Sequence, residues 1–267
     1  MIVDFHSHTY ESDGTLSPQA LADFMDERGV DVFSISDHDT LAAYGAFEPR
    51  NGARVVTGIE INTTYRDNEV HVLGYRVRLD SNELNGLIDT NVEARRARVD
   101  RMVLQLQRAG YGITTEDVIR EAGNAKALGR PHVGKALIRK GLAPDIEWAF
   151  RNLLRSGKPG YVPSTHVTPQ RAIEAIHAGG GLAVLAHPGR LKDRSLIDDL
   201  APQGLDGLEV FYPLHDADDV RIFREKASQY GLVMTGGADF HDIRYHARGV
   251  GVSVDPGDIG PFLDLVL

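Results

Sequence analysis

Two hydrophobic rhythms divide the chain. Over the first 80 residues, short apolar, β-branched runs at 2–5, 32–36, 54–59 and 70–75 each read as a buried strand, and the first three stop at His6, Asp37 and Glu60. Between the first two, Ser17-Pro18 offers an N-cap and a first helical residue and Gly29 a stop, which predicts a helix. Asp67-Asn68 supplies a turn before the fourth run. Such strand–helix alternation predicts parallel βαβ units. From 81 to 154 the period turns helical. Residues 84–108 place Met102, Val103 and Leu106 on one stripe and end at Gly110, Thr115-Glu116-Asp117 starts a second helix, Pro131 opens a third running to Lys140, and 146–154 form a fourth. Gly157-Lys158-Pro159-Gly160 marks the return to alternation, with helices at 169–178 and 217–230, strands at 182–186, 207–210 and 233–235, and two closing runs at 250–254 and 259–266. The expected architecture is one barrel-like α/β body, residues 1–80 and 156–267, with a helical subdomain, 81–155, inserted in its middle.

Composition narrows the chemistry. The 267 residues are close to the ~250 of a typical β/α barrel. Apolar content of 42% and charged content of 25% are ordinary for a globular protein, and no apolar run approaches the ~20 residues of a membrane helix, so no membrane partner is expected. Met1-Ile2-Val3-Asp4 has no basic stretch ahead of an apolar one, so a strand rather than a signal peptide is expected at the start. Cysteine is absent, which excludes disulfides and thiolate sites. Any metal must be held by His, Asp and Glu, a donor set suited to manganese first and also to iron, zinc or magnesium, and the expected compartment is the cytoplasm. Net charge is −9, yet residues 93–140 carry 11 Lys or Arg against 5 Asp or Glu, a local +6 that leaves −15 elsewhere. One basic segment on an acidic body predicts a small anionic ligand, not long nucleic acid.

Imidazoles and carboxylates crowd the predicted strand ends. Asp4, His6 and His8 alternate along an extended segment and therefore share a face. Asp13, His38, Glu60, His71, His187, Asp239 and His241 recur in similar settings. In a parallel barrel the strand C-termini converge on one face, where active sites lie, and isolated structural histidines have no reason to prefer those positions. Clustered cations held there would suit a multi-metal hydrolytic site, generating hydroxide from a bridging water near neutral pH.

Seven segments carry a family resemblance: Asp4-Phe5-His6-Ser7-His8, Ser12-Asp13-Gly14, Ser36-Asp37-His38-Asp39, Gly58-Ile59-Glu60, His71, Ala186-His187-Pro188 and Asp239-Phe240-His241. In this order the chain resembles the PHP (polymerase and histidinol phosphatase) family of metal-dependent phosphoesterases. The resemblance implies a distorted (β/α)7, TIM-like barrel holding up to three divalent ions. It assigns His6, His8, Glu60 and Asp239 to one ion, Glu60 with His71 and His187 to a second, and Asp13, His38 and His241 to a third. Asp239, His38 and His187 are the expected catalytic residues, Asp239 also accepting a proton from water. Asp4, Asp37 and Asp39 are expected to orient imidazoles, although Asp37 and Asp39 read equally well as caps of a loop or helix.

The chain is especially similar to the branch acting on nucleoside 3′,5′-bisphosphates and short RNA. That similarity implies substrate contacts from Arg98 and from Arg130-Pro131, where a helix N-terminus and a guanidinium together suit phosphate. His132 is expected to line the pocket beside Arg130, Arg190 to reach phosphate or equally to lie at the surface, and His215 to face the cleft as a proton donor or to cap the following helix. Arg95, Arg96, Arg101, Lys135, Arg139 and Lys140 are expected on solvated faces, as is His177; His166 and His246 lack the strand-end setting. The leading expectation is a phosphomonoesterase acting on a small nucleotide, most simply at the 3′-phosphate of a 3′,5′-bisphosphate. The alternatives are a 5′→3′ exoribonuclease on short RNA, a histidinol-phosphate-type phosphatase, and a non-catalytic scaffold module. The sequence sets no expectation for oligomeric state.

Overall fold

Two sheets carry the alternating part of the chain. In a computed structural model, which describes residues 1–48, 53–164, 167–244 and 249–267, the order is β1 (Ile2–Asp4), α1 (Pro18–Glu27), β2 (Val32–Phe33), β3 (Arg54–Val55), β4 (Gly58–Tyr65), β5 (Asn68–Tyr75), α2 (Asn82–Arg108), α3 (Thr115–Ala122), α4 (Arg130–Arg139), α5 (Ile146–Ala149), α6 (Pro169–Ala178), β6 (Leu182–Leu185), α7 (Leu196–Leu200), β7 (Gly207–Phe211), α8 (Ala217–Tyr230), β8 (Val233–Gly236), β9 (Val252–Ser253) and α9 (Pro256–Val266). His166 and His246 lie outside the described residues. One sheet has the order β3-β2-β1-β9 and the other β4-β5-β6-β7-β8. Both are mixed, and the ladders do not form one closed barrel.

The wholly parallel expectation fails at β4 and β5. These strands pair antiparallel over their full length, from Gly58↔Tyr75 to Tyr65↔Asn68. Only Arg66 and Asp67 connect them, with φ of 45° and 60°, the doubly left-handed geometry of a two-residue hairpin turn. A parallel return would need a crossover of a dozen residues or more. The run expected at 54–59 is split in two, so Glu60 is the third residue of an eight-residue strand and His71 lies within β5, rather than either ending a strand.

The helix termini follow their local chemistry. Ser17 accepts from the Ala20 amide and Pro18 fills the first turn of α1, while Thr114 and Asp117 close a reciprocal cap on α3. The helical segment from α2 to α5, which runs on into a π-helical turn at Phe150–Leu154, packs about its own apolar core of Val99, Met102, Leu106, Val133, Leu137 and Leu153. The first half of α2 belongs to the other side. Leu84, Leu87 and Ile88 pack with Ile59, Ile61 and Val72 of the hairpin and Ile176 of α6. At the far end of the sheets, Phe262 of α9 sits edge-on to Phe5 and Tyr75, with centroids 4.9 and 5.1 Å apart, and seals that end with aromatic contacts.

Candidate metal centre

At the other end, main-chain contacts join the two sheets and converge the side chains of interest. His38 bridges Glu60 in parallel fashion and Ser7 bridges Phe240. The amide of Asp239 donates to the His6 carbonyl at 2.7 Å and that of His8 to the Phe240 carbonyl at 2.8 Å. Gly237 makes this approach possible, because a Cβ there would lie 2.4 Å from the backbone nitrogen and Cβ of His6. Three site residues hold left-handed φ values, Asp39 at 49°, His187 at 27° and Asp239 at 52°, conformations that cost about 1–3 kcal/mol each for non-glycine residues.

All nine residues assigned to metal by resemblance are brought together. Glu60, fully buried in β4, is the hub. Its Oε1 lies 2.7 Å from His71 Nδ1, 3.1 Å from His187 Nε2 and 3.3 Å from His6 Nε2, and its Oε2 lies 2.8 Å from His38 Nδ1 and 3.4 Å from His8 Nε2. Asp239 Oδ1 faces His6 and His8 Nε2 at 3.5 and 3.3 Å, and Asp13 Oδ1 faces His241 Nε2 at 3.3 Å. Among the described residues, three groups place their ligand atoms within 4.8 Å of one another: His6, His8, Glu60 and Asp239; His8, Asp13, His38 and His241; and His38, Glu60 and His71. The grouping differs from expectation, since His38 rather than His187 joins Glu60 and His71, and His8 and His38 each belong to two groups.

The donor atoms themselves provide the test of whether cations fit. Among the described residues, His6 Nε2, His8 Nδ1 and Nε2, His38 Nδ1 and Glu60 Oε2 are buried and make no hydrogen bond of proper geometry, the last two included although they stand 2.8 Å apart. Orphaned buried polar atoms are rare in folded proteins, and five imidazole and carboxylate atoms concentrated at one point match the preferences of hard to borderline divalent ions. The electrostatics agree. Although burial opposes ionisation, the surrounding imidazoles hold Glu60, Asp13 and Asp239 well below the usual carboxylate range. Burial, reinforced by His241, lowers His8 to about 3 and keeps it neutral. Glu60 outweighs burial at His71 and raises it to about 9, and Asp13 does the same at His241.

The carboxylates expected to orient imidazoles do other work. Asp37 accepts from the Thr9 amide and hydroxyl and from Ser12 Oγ at 2.6–2.7 Å, fixing the loop that carries Asp13. Asp4 accepts the amides of His6, Ala238 and Gly251. Asp39 binds Arg95 Nε at 2.6 Å and Asn91 Nδ2 at 2.8 Å, so it docks α2 onto the site. The residue that does orient an imidazole is Glu209 of β7. Fully buried, it accepts from His6 Nδ1 at 3.0 Å and from the His187 amide at 2.6 Å. Its signal was legible as a lone carboxylate inside the apolar run Leu208-Glu209-Val210. Glu209→Gln is expected to weaken divalent-metal binding by about 10–100-fold, the usual effect of disturbing a ligand's hydrogen-bond support. A calorimetric titration giving wild-type affinity would remove Glu209 from this role.

A cavity of about 170 Å³ opens onto the cluster, and its opposite wall is basic, formed by Arg95, Arg98, Gly129, Arg130 and Pro131. Asn91, Arg95 and Arg98 project from one face of α2, following the helical spacing. Arg95 is not solvated. It is buried against Asp39 and Asn62 and also donates to the Leu128 carbonyl. Arg98 Nη1 stands 3.6 Å from Glu69, its Nε donates to the Val162 carbonyl, and its Nη2 is buried without a partner among the described residues. Arg130 Nη2 donates to Glu69 at 2.8 Å. Arg190 also lines the cavity and donates to Asp239 Oδ2 at 2.8 Å, while Tyr212, absent from the sequence expectations, reaches the same oxygen at 3.2 Å.

Two expected substrate contacts are absent from this wall. His132 is buried, accepting from the Gly129 amide at 3.1 Å through Nδ1 and donating to the Ser12 carbonyl at 3.0 Å through Nε2, so both ring nitrogens are committed to joining α4 to the Asp13 loop. His215 donates to the Val210 carbonyl and accepts from the Gly189 amide, which props the loop carrying His187 and Arg190. Asp216, not His215, caps α8. Lys135, expected in solvent, donates to the Asp13 carbonyl at 3.2 Å, whereas Arg139 and Lys140 pair with Glu121 and Asp117 on the helical segment's own surface.

Comparison with known proteins supports the same chemistry. No protein-family model matches the sequence. The chain is 31% identical over 261 residues to the 3′,5′-nucleoside bisphosphate phosphatase of Chromobacterium violaceum, covering 95% of this chain and 92% of that one. It is 33% identical over 251 residues to the 5′-3′ exoribonuclease Rnm of Salmonella typhimurium, covering 90% and 85%. A solved metal-dependent phosphoesterase structure from Bifidobacterium adolescentis superposes with a TM-score of 0.85 at 27% identity, over 99% of this chain and 96% of that one. With a buried His/Asp/Glu cluster facing a basic wall and relatives of this similarity over nearly the full length, the chain belongs to the PHP family of metal-dependent phosphoesterases and is a hydrolase of phosphate esters.

Proposed function

We propose that the cavity hydrolyses a phosphomonoester of a small nucleotide, the 3′-phosphate of a nucleoside 3′,5′-bisphosphate. One observation carries this reading: the cavity lies between the His/Asp/Glu cluster, which would attract an anion once it holds cations, and a wall that carries Arg98 and Arg130. A substrate with two phosphates fits both ends, and the named activity of the Chromobacterium relative agrees. The nine clustered residues are proposed as ligands of divalent ions, manganese first, which when bound would supply charge neutralisation and an activated water. Arg98 and Arg130 hold the 5′-phosphate with guanidinium donors that Glu69 otherwise occupies. Asp239, fixed by Arg190 and Tyr212, orients the attacking water. Its depressed pKa suits it better to accept a hydrogen bond than to take the proton outright. We further propose that the insertion spans 81–155, that β1-β2-β4-β5-β6-β7-β8 form a distorted seven-stranded ring, supported by the two inter-sheet bridges, and that the protein works in the cytoplasm.

Manganese-loaded protein is expected to release phosphate from adenosine 3′,5′-bisphosphate, and Arg130→Ala to raise KM on it by about 10-fold or more, the order expected for a lost charge-assisted contact, with little change on an aryl phosphate. Absence of phosphate release would overturn the substrate assignment. Equal loss on both substrates would remove Arg130 from recognition.

A further inference from the structure

The cavity that opens onto the metal centre is lined almost wholly by charged and polar side chains. Among the described residues that line it, only Pro131 and Phe150 present apolar side chains. Phe150 opens the π-helical turn, where the Arg155 amide donates to the Phe150 carbonyl, five residues back, at 3.0 Å. Turns of this kind are rare and recur at functional sites. Its neighbours Ala149, Leu153 and Leu154 are buried in the core of the helical segment, whereas the Phe150 ring packs only partly against that core and also lines the cavity. An aromatic ring is therefore anchored on one side and open on the other, in the same cavity as Arg98 and Arg130. The other lining side chains suit ions; this one suits a flat, weakly polar ring.

Resting on the reading of this cavity as a nucleotide site, we propose that Phe150 is the platform for the nucleobase, and that the base is recognised by its face and not by its edge. With one phosphate on Arg98 and Arg130 and the other at the metal centre, the base projects sideways from the sugar. Phe150, with the Pro131 ring, offers it the apolar part of the lining. The one side-chain amide among the lining residues is not free to read a base edge. Asn62 is buried and engaged at both ends, its oxygen accepting from Arg95 and its nitrogen 3.0 Å from His71 Nε2. Stacking accepts any base, because every base has a π-face. A site built to hydrogen-bond a substrate group instead rejects the analogue lacking it by about 10⁴-fold or more. The substrate class is therefore nucleoside bisphosphates of any base, and sugar bisphosphates without a base are disfavoured.

The test compares wild type with Phe150→Leu, which keeps an apolar side chain against the core but no aromatic face, and with Phe150→Tyr, which keeps the face. Manganese-loaded enzymes are assayed on adenosine and uridine 3′,5′-bisphosphates and on the abasic 1,2-dideoxyribose 3,5-bisphosphate. Binding of AMP and of ribose 5-phosphate is titrated in EDTA. In Phe150→Leu, KM for adenosine 3′,5′-bisphosphate is expected to rise about 10-fold, within the range for one lost stacking contact, with kcat and abasic hydrolysis unchanged; AMP binding weakens equally and ribose 5-phosphate binding does not. Phe150→Tyr should match wild type, and the two bases should differ by less than about 10-fold. A wild-type KM in Phe150→Leu, equal loss on base-containing and abasic ligands, or discrimination between the bases of about 100-fold or more would each overturn the platform. If wild type releases no phosphate from any of the three, yet Phe150→Leu weakens AMP binding and not that of ribose 5-phosphate, the phosphatase reading falls and the platform stands.

Discussion

Glu60→Gln is expected to lower kcat/KM by at least about 10³-fold, a loss of about 4 kcal/mol of transition-state stabilisation. The carboxylate touches five imidazoles, those of His6, His8, His38, His71 and His187, and the amide keeps its shape while deleting the charge that holds them. A second readout needs no substrate. In metal-free protein Glu60 is the main partner raising His71 to about 9, so in the variant the His71 ring should titrate closer to the ordinary histidine range, as followed by NMR. The sign follows from linkage: a folded-state pKa above the unfolded value of about 6.5 contributes stability that is complete below pH 6.5 and is lost as pH rises through about 9. A cation taking this ring must displace the proton, so metal binding should tighten as pH rises through the same window. Retention of activity within 10-fold, or an unmoved His71 titration, would sink the assignment of Glu60 as hub.

Asp39→Ala is expected to destabilise the protein by about 3–5 kcal/mol, because it strands the buried Arg95 guanidinium at the junction of α2 with the site. Urea unfolding measures the loss as a shifted midpoint. Adding Arg95→Met to that variant should recover a large part of it, since the main cost is the unpaired charge rather than the missing contact. A loss below about 1 kcal/mol, or no recovery in the double variant, would mean that water reaches Arg95 and the pair counts for little.

Much of the site is legible in the sequence because its residue types are chemically restrictive. His6, His8, His38, Glu60, His71, His187, Asp239 and His241 stand at or near apolar runs where a carboxylate or imidazole has no packing reason to be. Less of the fold was legible. The hairpin of β4 and β5 was hidden because β-branched runs look alike in either direction, and the two left-handed residues that reverse the chain, Arg66 and Asp67, are not glycine or asparagine. His132 and His215 were misplaced for a different reason: their ring nitrogens bind main-chain groups of Ser12, Gly129, Gly189 and Val210, and main-chain partners leave no trace in side-chain identity. Arg95 reads as a solvated arginine because helical spacing identifies a shared face but not what that face meets. The answer, Asp39, lies 56 residues away.

Helix α2 ties these points together. Leu84, Leu87 and Ile88 belong to the core beside the sheets, Val99, Met102, Val103 and Leu106 to the core of the helical segment, and Asn91, Arg95 and Arg98 occupy the stretch between them. Neither core can come apart without stripping packing from the same helix. Heating should therefore melt the sheets and the helical segment together in one calorimetric transition, and two separate transitions would show that α2 does not couple them.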